Sequence, residues 1–119
     1  MYTVVKIGDK EVPMLSMASV DVYYRQLFHD DPMKLQASKD FGGVESVNFV
    51  FQMGFIMAMR AKKTRQEMNA LSENDYYDWL DELDRGGLYN AIDSIFATYE
   101  GQTRTTSDAK KNNEEQTDK

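Results

Sequence analysis

Apolar positions recur along this chain up to Tyr99 and then stop. Tyr2 to Ile7 is rich in β-branched residues, and Gly8-Asp9-Lys10 follows with the chemistry of a turn. Val12 to Met17 reads as a second strand, so residues 2–17 are predicted to form a β-hairpin. Pro13 has no N–H to give to a ladder, which puts its strand at an edge or pairs it on one side only.

From Ser19 onward the spacing is helical. Ser19 is a natural N-cap, Asp21 places a negative charge in the first turn, and Val20, Tyr23, Tyr24, Leu27 and Phe28 share one face. These features predict a helix over about 20–29, ended by Asp30-Asp31-Pro32, where Pro32 can open another short one. Residues 36–43 read as a loop ending in Gly42-Gly43. Residues 44–63 are the most hydrophobic segment: Val47, Phe49, Val50, Phe51, Met53, Phe55, Ile56, Met57 and Met59 nearly encircle a helix, which should be central and buried. Ser72-Glu73-Asn74-Asp75 resembles a capping box, and Tyr76, Trp79, Leu80 and Leu83 then mark one face of a helix over 74–85, stopped by Gly86-Gly87. Leu88, Ile92, Ile95, Phe96 and Tyr99 predict a last helix over 88–100, closed by Gly101.

The expected fold class is α+β, mainly α: an N-terminal β-hairpin followed by a small bundle of about four or five helices, all within residues 1–101. Residues 102–119 contain no large apolar group. Ordering their backbones would cost roughly 18–36 kcal/mol at about 1–2 kcal/mol each, with nothing to bury in return, so a disordered polar tail is expected.

Composition narrows the function. A chain of 119 residues, 41% hydrophobic and 12% aromatic, can build one core. The formal charge of −6 repels phosphate backbones, so nucleic acid is not an expected partner. The charges of the tail cancel, which leaves the whole −6 in residues 1–101. Absence of cysteine removes disulfides, thiolate nucleophiles and Cys-based metal sites, and agrees with a reducing compartment. Met1 to Lys6 lacks the basic and long apolar segments of a signal peptide. The apolar stretch from Phe49 to Met59 is interrupted by Gln52 and is about half of the ~20 residues that a membrane span needs. A soluble intracellular protein with no membrane partner is expected.

Catalytic chemistry is hard to place. His29 is the only histidine, so no Ser–His or Cys–His pair is available, and a non-enzymatic protein without cofactor or metal is expected. His29 with Asp30 and Asp31 reads as a solvated helix end in preference to a metal site, which needs three or four converging ligands. Gly42-Gly43 and Gly86-Gly87 lack the spacing of a phosphate loop. The acidic run Glu73, Asp75, Asp78, Asp81, Glu82 and Asp84 covers the outer side of the Trp79 helix. It is either a solvated face or one half of a contact with the basic patch Arg60, Lys62, Lys63 and Arg65. Between subunits that contact would build a head-to-tail ring or spiral, but the two patches can also meet within one chain. Arg60, Lys62, Lys63, Arg65, Asp75, Asp78 and Glu82 are thus the self-association candidates. Met33, Met53, Met57, Met59 and Met68 surround the apolar region, where methionine suits both gap-filling and adaptable surfaces. Any exposed remainder would form a groove for a helical partner, with Phe49, Phe51, Met53, Phe55, Met57 and Met59 as contact candidates, although these residues must also supply the core.

Taken in order, Tyr23-Tyr24-Arg25-Gln26-Leu27-Phe28-His29-Asp30-Asp31, the apolar helix ending in Met57-Ala58-Met59-Arg60-Ala61-Lys62, then Asp78-Trp79-Leu80-Asp81-Glu82-Leu83-Asp84, and finally Gln102-Thr103-Arg104-Thr105-Thr106 leading to Lys110-Lys111 form an ordered set. From about Glu11 to Lys111 the chain resembles the tail assembly chaperones of long-tailed bacteriophages that infect Gram-positive hosts. It departs from them at His29, where relatives often carry glycine, and in the decisive break of Gly86-Gly87. The resemblance implies a small α-rich fold that coats the tape measure protein until the tail tube polymerises around it, forming rings or spirals. It also implies a frameshifted longer form that recruits the tail tube protein, with Lys110-Lys111 as a candidate product of an A-rich slippery run. The host bacterial cytoplasm would be its location, and it would be absent from the mature virion. The alternatives are a structural tail or connector protein retained in the virion, or a host-interacting adaptor.

Overall fold

The hairpin comes first in the order of elements. In the computed structural model, which describes residues 1–37 and 44–101, β1 (Tyr2–Ile7) pairs antiparallel with β2 (Lys10–Leu15). Tyr2 lies opposite Leu15 and Ile7 opposite Lys10. The two-residue turn Gly8-Asp9 places Gly8 at φ 61, a region open to glycine at no steric cost. Val5, Ile7 and Met14 point inward and are buried, while Tyr2, Val4, Lys6, Glu11 and Pro13 point outward. The ladder ends on Ser16, whose N–H donates to Met1 O at 2.8 Å and whose own carbonyl accepts from Met1 N.

Seven helices follow among the described residues: α1 (Ala18–Phe28), α2 (Pro32–Ala37), α3 (Val44–Arg60), α4 (Arg65–Asn69), α5 (Glu73–Asp81), α6 (Arg85–Asn90) and α7 (residues 92–101). The fold is α+β and mainly α, as its pattern predicts. α3 is the axis, with β2, α1, α2 and α5 packed on it, while α6 reaches β1. Phe49, Val50, Met53, Phe55, Ile56 and Met57 of α3 are all 3% exposed or less. Gly54 admits Ile95 of α7, since a Cβ there would stand 3.1 Å from Ile95 Cγ2. The one polar interruption has a partner: Gln52 Oε1 accepts from the Tyr24 hydroxyl at 2.7 Å. Aromatic rings connect the helices in series, Trp79 to Phe55, Tyr76, Phe28, Tyr24, Phe49 and Tyr99, with centroids 5.1–5.7 Å apart and tilted or edge-on geometry.

α7 is fixed through Tyr99. Its hydroxyl donates to Asp21 Oδ1 at 2.7 Å and accepts from Gln36 Nε2 at 3.4 Å, while its carbonyl accepts from Ser16 Oγ at 3.0 Å. One residue thereby ties α7 to α1, α2 and the end of the hairpin.

Several element boundaries differ from the sequence expectation. Met17, and not Ser19, is the N-cap of α1; Ser19 lies within the first turn and its buried Oγ has no partner among the described residues. The helix expected over 44–63 ends at Arg60, and α4 occupies part of the stretch expected to connect it to the next helix. The helix expected over 74–85 ends at Asp81, before the glycines. Gly86-Gly87 does not stop a helix but opens one: Asp84 is the N-cap of α6, and its Oδ2 accepts from Gly87 N at 2.7 Å. The last expected helix, 88–100, is accordingly two, α6 and α7. α2 runs to Ala37, so the expected loop starts after it; the rest of that loop and the expected disordered tail, 102–119, lie outside the described residues.

Candidate protein-binding groove

Two turns separate α3 from α5, one on either side of α4, and each has a local chemical cause. Where α3 ends, Lys63 N donates to Met59 O at 2.9 Å and Arg60 Nη1 donates to Lys63 O at 3.0 Å. Thr64 then starts α4 with a capping box: Thr64 N donates to Glu67 Oε1 at 2.9 Å, and Glu67 N donates to Thr64 Oγ1 at 3.3 Å. The bond that the carboxyl accepts from the Thr64 main chain, and after it the Thr64 hydroxyl beside the same carboxyl, hold Glu67 below the usual carboxylate range. Met68, buried, anchors the short helix. Ser72 starts α5 in the same manner, its N–H donating to Asp75 Oδ2 at 2.8 Å.

The result is a groove of about 330 Å³ between the end of α3, α4 and α5. Its floor is apolar, made of Met59, Leu71 and Trp79, of which Met59 and Trp79 are 6% and 7% exposed. Lys62 and Lys63 also line it, together with the opposite charges of Glu67, Asp75, Asp78 and Glu82. None of Lys62, Lys63, Asp75, Asp78 and Glu82 is in an ion pair with another described residue. Asp75 is partly committed to capping, whereas Asp78 and Glu82 are exposed. The main-chain oxygen of Glu82 accepts from Lys10 Nζ at 2.8 Å, which fastens the end of α5 to the hairpin.

Five of the self-association candidates, Lys62, Lys63, Asp75, Asp78 and Glu82, therefore converge on one groove of one chain. Arg60 is half-buried and turned onto Lys63 O, and Arg65 is exposed at the start of α4, away from the groove lining. Phe49, Phe51, Met53, Phe55, Met57 and Met59 are all buried, at 8% exposure or less. Of these six only Met59 reaches the groove; the others are occupied by the core in this conformation. Glu67 and Leu71 were not among the sequence candidates, and the pattern Thr64-x-x-Glu67 is the signal that would have found the helix carrying them. Met33 stands apart from the apolar region, 74% exposed on α2.

Elsewhere, His29 caps α1 in the left-handed conformation, φ 57, and Asp31 beside it lies 3.8 Å from Arg25. No group of three or more histidine, aspartate or glutamate side chains able to hold a metal occurs among the described residues. No helix among them is long and apolar enough to cross a membrane. Compared with protein-family models, curated proteins and solved structures, the chain matches none.

Proposed function

We propose that this chain is a tail assembly chaperone of long-tailed bacteriophages of Gram-positive hosts, which keeps the tape measure protein soluble by coating it stoichiometrically and without turnover. The observation that carries the reading is the groove. An amphipathic helix lays its apolar face on a hydrophobic floor, and flanking charges of opposite sign fix its orientation and direction. Met59, Leu71 and Trp79 offer such a surface, with Lys62, Lys63, Asp78 and Glu82 lining the same groove. A tape measure protein, long and helical, presents that kind of surface repeatedly. The ordered motifs described above give the reading its identity, and the groove gives it a place of contact.

Co-expression tests it. With the wild-type chain, the tape measure protein should move from the pellet to the soluble fraction and co-purify. With Asp78→Lys and Glu82→Lys combined, both on exposed positions, it should return to the pellet while the melting temperature of the chaperone stays unchanged. A tape measure protein that remains insoluble with the wild-type chain defeats the proposal.

A further inference from the structure

Parity along the hairpin decides which main-chain groups of β1 are left over. Met1 and Ser16 exchange both main-chain bonds, so Thr3 with Met14, Val5 with Val12 and Ile7 with Lys10 are the bonded pairs of the ladder. The N–H and C=O groups of Tyr2, Val4 and Lys6 therefore point away from β2, and none of them has a partner among the described residues. Pro13, opposite Val4, obeys the same parity: its nitrogen lies on the outer edge of β2 and offers no donor there. One edge of this sheet is blocked by proline and the other is open. Along the open edge runs a groove of about 380 Å³, whose far wall is α7 with the short side chains Ser94, Ala97 and Thr98. The outward side chains of the open strand include Tyr2 and Val4, 60% and 48% exposed.

The geometry points to a second copy of this chain as the occupant, its β1 pairing antiparallel with this one about a two-fold axis at Val4. That register sets Val4 against Val4 and Tyr2 against Lys6 of the other copy, so that every outward N–H meets an outward C=O. The lysine of each copy lies beside the tyrosine ring of the other, a favourable cation–aromatic pair. The four-stranded sheet has Val4 and Pro13 of both copies as an apolar stripe across its outer face, flanked by Lys6 and Glu11, which are already opposite each other within each hairpin. Both of its new edges are β2, each carrying Pro13, so pairing stops at two chains and does not extend into a fibre. This interface is separate from the groove between α3 and α5 and holds whatever that groove binds.

Val4→Pro is the direct test, because it removes an edge N–H that the hairpin itself does not use. Light scattering at micromolar concentration should give a mass twice 13.7 kDa for the wild type and 13.7 kDa for Val4→Pro, with equal helical circular dichroism. If Val4→Pro does not fold, Val4→Cys decides. The chain has no other cysteine, and paired Val4 Cα atoms would be about 5.5 Å apart, within the roughly 4.4–6.8 Å that a disulfide spans. Copper-phenanthroline should then cross-link Val4→Cys into a dimer and leave Val22→Cys, on exposed α1 surface, monomeric. A monomeric wild type overturns the proposal, and slow amide exchange at Val4 in that monomer would assign the edge to a segment of the same chain. A dimer that persists in folded Val4→Pro, or a dimer in which Val4→Cys fails to cross-link, overturns it as well.

Discussion

At the scale of single residues, Trp79 and His29 make opposite demands on the fold. Trp79 is 7% exposed, stacks edge-on against Phe55 at 5.7 Å, and forms part of the groove floor. Trp79→Ala should cost about 3–5 kcal/mol, through lost burial and the cavity left behind. A denaturant titration giving a loss below about 1 kcal/mol would show that the indole is not part of the core. His29 is the only non-glycine residue at positive φ among the described residues. It satisfies the end of α1 by donating its N–H to Arg25 O at 3.0 Å, but an L side chain is strained in that conformation. His29→Gly should therefore stabilise the chain by about 0.5–1 kcal/mol, read as a higher melting temperature.

At the scale of elements, the adjacent glycines of α6 test how the hairpin meets the helices. A Cβ on Gly87 would fall 2.4 Å from Gly8 N and 2.7 Å from Gly8 Cα, backbone against backbone, so neither side can yield without moving an element. A Cβ on Gly86 would meet only Asp84 Oδ2, at 3.7 Å. Gly87→Ala should destabilise by about 1–3 kcal/mol and loosen the hairpin tip, whereas Gly86→Ala should gain up to about 1 kcal/mol of helix propensity. Equal effects at the two positions would mean that the hairpin does not dock on α6. This pair also explains what could be read in the sequence. Periodicity identified β1, β2, α1, α3 and the face of α5, because each buries one continuous apolar set. It could not tell that Gly86-Gly87 begins a helix, since close approach of Gly8 to Gly87 is a tertiary fact and only Asp84 three residues earlier hints at a cap. α4 has a single buried residue, Met68, too little for periodicity to register. The groove was legible only in part. Charges at Lys62, Lys63, Asp75, Asp78 and Glu82 were visible as patches, but the two turns that bring them to one groove depend on consecutive capping boxes.

At the scale of the whole molecule, three phenols, Tyr24 and Tyr76 buried and Tyr99 partly buried, set an alkaline limit. Burial raises the pKa of Tyr24, with the charge of Asp30 adding to it; burial likewise raises Tyr76. For Tyr99 burial acts first, then its hydrogen bond to Asp21 and the charge of that carboxylate. Each group has a folded pKa above its unfolded value near 10, so the stability it contributes is complete below about pH 10 and is lost as pH rises beyond it. Unfolding free energy should be level from pH 7 to about 9.5 and fall steeply above 10, and Tyr76→Phe should make that decline shallower by one proton. A stability that stays level to pH 11 would refute the burial of these phenols. The hairpin that anchors this assembly is also synthesised before the helices it packs on. Its fastenings are far along the chain: Lys10 waits 72 residues for Glu82, and Ser16 waits 83 for Tyr99. On the ribosome, then, β1 and β2 emerge with no surface to pack on, and the domain closes only when α7 has left the exit tunnel. Throughout that interval, before the domain has closed, the open edge of β1 is already available to any strand nearby, including the β1 of a neighbouring nascent chain on the same message.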